Sequence, residues 1–166
     1  ISVCPSDDPV WLQGSPNYGT WSGDGVIGNF FYPELVDEGA AYPLTYSYDN
    51  GICIWEDVKL VTVKNSPVLS FTNDTLQVCV FDQGTAQTTL DLNEYGYNPN
   101  GGVWTSSVDS INMLISGHTL DLGLLPTGQY EALPLTYAYT GGSGCISTHD
   151  VLLHINKMNA DSINVL

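Results

Sequence analysis

Positive charge is almost absent from this 166-residue chain, which has three lysines and no arginine against eighteen Asp and Glu, a formal net charge of −15. Without a cationic patch to neutralise phosphates, the ordinary basic DNA- and RNA-binding classes are excluded. An anionic membrane surface would repel the chain as well. No apolar run approaches the roughly 18 residues that a spanning helix needs, so direct membrane insertion is not expected. No basic segment followed by an apolar one opens the sequence, which carries little weight in a chain that reads as mature or excised. Amphipathic helical periodicity is missing too, and only Glu34 to Glu38, after Pro33, offers a single turn. Disorder is excluded from the other side, because 43% of the residues are hydrophobic and only 13% are charged.

What is present is a β inventory. Seventeen glycines, nine prolines and ten tyrosines accompany many Thr and Val. Leu44, Tyr46 and Tyr48 alternate with Thr45 and Ser47, so a strand there has one apolar face. Val58 to Val63 is mainly apolar and β-branched, which predicts a strand in a sandwich core. Turn signals such as Ser22-Gly23-Asp24-Gly25, Asp49-Asn50-Gly51, Asn98-Pro99-Asn100-Gly101-Gly102 and Gly141-Gly142-Ser143-Gly144 punctuate these runs. Short strands at this spacing predict a sandwich or barrel.

The chain also repeats itself. Gly19-Thr20-Trp21 is echoed by Gly102-Val103-Trp104, and Pro43-Leu44-Thr45-Tyr46-Ser47-Tyr48 by Pro134-Leu135-Thr136-Tyr137-Ala138-Tyr139. A glycine turn, a cysteine and an Asp-Val pair follow in each copy: Cys53 with Asp57-Val58, and Cys145 with Asp150-Val151. The interval from Trp to Pro is 22 residues in the first copy and 30 in the second, which places a longer loop within Ser106 to Gly123. Ile1-Ser2-Val3-Cys4 matches Leu76-Gln77-Val78-Cys79, and Ile163-Asn164-Val165-Leu166 matches both except at the cysteine. The expected organisation is an all-β fold of two tandem Ig-like β-sandwich modules, residues 1–66 and 67–157, the second with the longer loop. Residues 158–166 are expected to be a linker or the first strand of a following module, as in a chain cut from a longer array. The alternative is that Ser162 to Leu166 adds an edge strand to the second module.

Four cysteines allow three pairings. Each copy has an early cysteine on an apolar strand and a late one before its last strand, so the repeat favours Cys4–Cys53 and Cys79–Cys145, an intramodule disulfide in each. Such loops would add roughly 4 kcal/mol by chain entropy, useful to modules with small cores. Disulfides persist in extracellular or periplasmic compartments. The alternative is four buried free thiols. Metal ligation is disfavoured because no Cys-x-x-Cys spacing exists and the histidines lie elsewhere.

The motifs Gly-x-Trp-Ser-Gly-x-Gly-Val (Gly19 to Val26), Phe30 to Pro33, Tyr42 to Tyr48 and Gly51 to Val63 resemble the Ig-like repeats of SprB-like gliding adhesins, and more broadly of large Bacteroidetes surface proteins exported by the type IX system. The second copy keeps Trp104, Pro134 to Tyr139 and Gly144-Cys145, but has Thr105-Ser106-Ser107 in place of the Ser-Gly turn. The resemblance implies an outer-membrane-associated filament at the cell surface, used in adhesion and gliding motility, with calcium an optional structural ion and not a required one.

No catalytic constellation is evident. There is no Gly-x-Ser-x-Gly elbow, phosphate-cradling glycine loop or His-Glu-x-x-His. His118, His149 and His154 are the only histidines, and His149 and His154, five apart around the last strand, are expected to be solvated strand residues. For calcium, Asp91 to Gly96 resembles an EF-hand loop but fails at Tyr95 and at Gly102. Asp7-Asp8, Asp37-Glu38 and Glu56-Asp57 are the other acidic clusters, and solvated acidic surface is the competing account. Trp21, Trp104, Tyr46, Tyr48, Tyr137 and Tyr139 recur in both copies and are expected in the cores. Trp11, Trp55, Tyr95 and Tyr97 lack counterparts; if exposed they would stack on sugars, the competing role being edge-covering or inter-module packing. The function expected is a non-catalytic stalk or spacer requiring no cofactor, its partners being neighbouring modules of the same chain. A carbohydrate-binding pair contacting surface polysaccharide is the second reading, and an accessory domain of a secreted hydrolase the third.

Overall fold

The structure, a computed structural model, describes residues 1–81, 89–95, 97–123, 125 and 130–158. It is all-β and divides by its contacts into two units: Ile1–Pro67 with Thr140–Ile146, and Val68–Tyr139 with the chain from Ser147 onward. Each is an Ig-like sandwich of one four-stranded and one three-stranded sheet.

In the first unit, β1 (Ser2–Val3), β2 (Val10–Trp11), β3 (Thr20–Ser22), β4 (Val26–Ile27), β5 (Phe30–Phe31), β6 (Ala41–Asp49) and β7 (Ile54–Val63) form sheets ordered β1-β7-β6-β3 and β2-β5-β4. The first strand runs parallel to the last, with Val3 opposite Val63, and every other pair is antiparallel. Val3, Leu12, Phe31, Leu44, Val61 and Val63 fill the space between the sheets.

The second unit repeats this plan. Its strands are β8 (Thr75–Phe81), β9 (Thr89–Asp91), β10 (Val103–Thr105), β11 (Ile115–Ser116), β12 (Thr119–Asp121), β13 (Tyr130–Thr140) and β14 (Ile146–Met158), ordered β8-β14-β13-β10 and β9-β12-β11. Again the first strand runs parallel to the last, Val78 opposite Ile155. The longer loop of this copy holds a four-residue helix α1 (Asp109–Asn112) and the β11–β12 hairpin. Its core is larger, with Leu90, Leu92, Leu120, Leu135, Leu153 and Trp104 among its buried members.

One device recurs in both units. Trp21 stands opposite Tyr46 across β3 and β6, and Trp104 opposite Tyr137 across β10 and β13. The Tyr46 hydroxyl donates to the Pro16 carbonyl and accepts from the Gly19 N–H at 2.9 Å. The Tyr137 hydroxyl donates to Pro99 O at 2.7 Å and accepts from Gly102 N–H at 2.8 Å. The glycines are required by the rings: a Cβ would lie 2.3 Å from the Tyr46 ring at Gly19 and 2.4 Å from the Tyr137 ring at Gly102.

Several expectations change. The turn after Pro33 is a 3-10 turn over Pro33–Leu35 only. Strand β7 is not a core strand along its length: Val61 and Val63 are buried, but Val58 and Leu60 are 53% and 61% exposed. The reason is alternation, since Val58 and Leu60 point away from the face on which Val61 and Val63 meet the short second sheet. Residues 159–166, expected to be linker or next-module strand, lie outside the described residues, and Met158 ends β14.

The cysteine pairing is corrected outright. Cys4 bonds Cys145, and Cys53 and Cys79 are free and exposed, so neither Cys4–Cys53 nor Cys79–Cys145 exists. Geometry forbids both. Cys4 follows Val3 at the Val63 end of β7, where Lys64 N–H donates to Val3 O at 2.9 Å, whereas Cys53 precedes Ile54 at the other end. A strand of that length separates them by about 30 Å, against the roughly 7 Å a disulfide tolerates between Cα atoms. Cys79 lies opposite Asn156 near the end of β14, and Cys145 precedes its first residue, so the same argument holds there. Instead the β13–β14 turn belongs to the first unit, where Ser143 Oγ donates to Asn65 O at 2.8 Å and Cys4 is within bonding reach.

Tyr137→Phe takes the hydroxyl partner from a part-buried carbonyl and N–H, and denaturant unfolding should show a loss of about 1–2 kcal/mol. Gly102→Ala should cost at least as much through overpacking; variants as stable as the parent would remove the tyrosine tie from the account.

Candidate functional site

The tie at Tyr46 has a consequence on the surface of the first unit. By holding the segment from Gly14 to Gly19 against β6, it leaves a groove of about 610 Å³ lined by Trp11, Gln13, Asn17, Tyr18, Trp21 and Asn29, among others. Strand β2 places Trp11 on one side, half exposed and edge-on to Phe30 with ring centroids 4.9 Å apart. Tyr18 is 98% exposed and has φ +76, the left-handed conformation that disfavours an ordinary side chain. The lining holds no carboxylate and no lysine. Exposed aromatic faces beside side-chain amides suit a neutral, polyhydroxylated ligand, with rings for its apolar faces and amides for its hydroxyls.

The second unit does not repeat these side chains. Leu12 and Leu92 are equivalent, as their N–H groups donate at 2.8 Å to Asn29 O and His118 O, so Asp91 stands where the first unit has Trp11 and His118 where it has Asn29. Gly101, φ +94, stands where the first has Tyr18. Tyr18, Asn17, Gln13 and Asn29 were not anticipated as site residues. The signal for Tyr18 was the comparison of Pro16-Asn17-Tyr18-Gly19 with Pro99-Asn100-Gly101-Gly102, where a bulky residue replaces glycine without changing the backbone.

The other aromatic candidates fare differently. Trp55 is exposed on β7 and stacks on Tyr48, its cross-strand neighbour, at 6.2 Å and 25°. Tyr97 is not a surface residue, since it is buried against Trp104, Tyr137 and Phe71. Tyr95 packs partly buried on the same core. Tyr97 is corrected from a sugar contact to a core residue, and Tyr95, at the end of the 3-10 turn over Leu92–Tyr95, is half-buried at the edge of the same core. Burial pushes both hydroxyls above the ordinary tyrosine range; the Glu94 charge adds to this at Tyr95, and at Tyr97 Trp104 opposes it while Tyr137 and Asp91 reinforce it.

The acidic clusters serve turns and strand ends. Asp7 accepts Cys4 N–H at 2.7 Å, Glu38 accepts Ser66 N–H at 2.6 Å, and Asp91 accepts Asn93 N–H at 2.8 Å. Asp57 pairs with Lys59 at 2.7 Å, both exposed, and the lysine holds its carboxyl below the usual range. Among the described residues no three His, Cys, Asp or Glu gather in one place. His149 is not simply solvated: it stacks on Phe71 at 3.9 Å and 14°, with Nε2 2.9 Å from Asp74 Oδ1. His118 lies 4.0 Å from Asp91. Among the described residues no helix is long and apolar enough to cross a membrane.

No family model matches the chain, and no curated protein does. Among solved structures it is similar to the crystal structure of human protocadherin-24 EC1-2, at 14% identity over 95% of this chain and 93% of that one, with a TM-score of 0.30. At that score the likeness carries no argument, and the fold rests on the sheets described above.

The burial of Tyr95 and Tyr97 sets a pH dependence. Each stays neutral when folded and ionises near pH 10 when unfolded, so the stability of the neutral form is intact below about pH 10 and falls as pH rises further. Melting followed across that range should decline, less steeply for Tyr97→Phe; identical slopes would contradict the burial assignment.

Proposed function

We propose that this chain is a non-catalytic stalk segment of an extracellular repeat adhesin, acting through neighbouring modules of the same chain. The observation that supports this best is the Cys4–Cys145 bond, which joins residues 141 apart in sequence. Tension applied near the two ends of the chain passes from Cys4 directly to Cys145, so nearly all of both sandwiches lies outside the load path. The exception is β14, which follows Cys145 and carries the load itself; sparing the rest is a useful property in a tether. The bond also favours an oxidising compartment outside the cytosol, and strong negative charge keeps neighbouring fibres apart. The motif resemblance to SprB-like repeats extends the reading to type IX export, an outer-membrane-associated filament and gliding motility.

A second reading, direct contact with surface polysaccharide, is favoured by the groove at Trp11 and Tyr18. The two are compatible, since a repeated weak site gains strength by avidity.

Stretching the oxidised chain from its ends should extend only the residues outside the bond. Reduction should then release about 500 Å more contour, at roughly 3.5 Å for each of the 141 residues. Equal extension before and after reduction would overturn the tether reading. For the second reading, electrophoresis through gels containing neutral polysaccharide should retard the parent chain and not a Trp11→Ala, Tyr18→Ala double variant; equal mobility would dismiss it.

A further inference from the structure

Two exposed thiols in a chain read as extracellular call for partners. Cys53 and Cys145 occupy one structural position. Each precedes its repeat's last strand, its carbonyl accepts from the turn (Asn50 N–H at 3.3 Å, Gly141 N–H at 2.9 Å), and its N–H donates to a turn side chain (Asn50 Oδ1 at 2.8 Å, Ser143 Oγ at 3.3 Å). Cys4 and Cys79 share another position. Each follows the valine, Val3 or Val78, that lies on the first strand in parallel register with the last. The bond that forms joins the early cysteine of one repeat to the late cysteine of the next. The two that remain free are a late cysteine and an early one.

We infer that Cys53 and Cys79 are the two halves of this same bond, each awaiting another copy of the module: Cys79 pairs with the late cysteine of a following repeat, and Cys53 with the early cysteine of a preceding one. This rests on the repeat-array reading. The span of the last strand, which keeps Cys4 from Cys53 and Cys79 from Cys145, leaves a neighbouring repeat as the partner for each thiol. The consequence is mechanical. Stitches of this kind overlap, so every peptide bond between the outermost stitched cysteines is bridged by at least one disulfide, and a single proteolytic cut there does not sever the fibre. Staples confined within modules would leave each linker unbridged.

The chemistry balances with a low-molecular-weight disulfide such as oxidised glutathione. The Cys79 thiolate attacks it and expels one glutathione thiolate. The Cys53 thiolate of the neighbouring copy then attacks the mixed disulfide at the Cys79 sulfur and expels the second. Two protein thiols are oxidised and one glutathione disulfide is reduced, the two protons given up by the protein thiols being taken by the two expelled glutathione thiolates.

The test is a tandem of residues 1–162 followed by residues 1–166, refolded in a glutathione buffer and mapped by mass spectrometry without reduction. The expected product is a cross-linked peptide joining Cys79 of the first copy to Cys53 of the second, with two alkylatable thiols left in the tandem, against two in the single chain. Four thiols, or Cys79 joined to any cysteine other than Cys53 of the second copy, would overturn the proposal. Cys79→Ser in the first copy should return Cys53 of the second to the alkylatable pool without disturbing Cys4–Cys145. The stalk reading fails separately, through the stretching measurement on the single chain.

Discussion

The parallel pairing of first strand with last is the constraint on which the rest of the molecule depends. It places Val3 beside Val63 and Val78 beside Ile155, and so decides which end of each sandwich carries each cysteine. Because β1 pairs with β7 only at Thr62 and Val63, Cys4 sits beyond the far end of the strand that Cys53 precedes. The early and late cysteines therefore lie a whole strand apart, and a covalent link must reach beyond its own repeat.

The buried tyrosine is the second shared element, and it shows how one device serves both packing and surface. In each unit the ring lies against a tryptophan on the edge strand while its hydroxyl ties down the segment before that strand. Two backbone groups are satisfied by one side chain, which accounts for a tyrosine where phenylalanine would fill similar space. In the first unit the held segment carries Tyr18 and Asn17, so the interaction that closes the core also shapes the groove. In the second, glycine at the corresponding place leaves the backbone device without the exposed aromatic.

Much of this was legible along the chain. The alternation in Leu44-Thr45-Tyr46 and its echo in Leu135-Thr136-Tyr137 identified strands, and the matched order of Trp, Pro and Cys identified two copies of one all-β module. These are local signals, since side-chain alternation and turn chemistry act over a few residues. One echo is not visible in residue identity: Gly28 and Gly117, both at φ +63, close equivalent hairpins amid unlike neighbours. The burial of Tyr97 is not legible in the sequence because it depends on a core assembled from distant strands.

Repetition in the sequence therefore established the two sandwiches, the equivalence of Cys4 with Cys79 and of Cys53 with Cys145, and the acidic, arginine-free surface. It could not choose the disulfide partner, because pairing within a repeat and pairing to the next one respect the repeat equally well. That choice was made by the end of the last strand at which the first strand pairs and by the turn at Thr140–Ile146 belonging to the first unit. Both are contacts between residues far apart in the chain, where distance in space and not order in sequence determines what can bond.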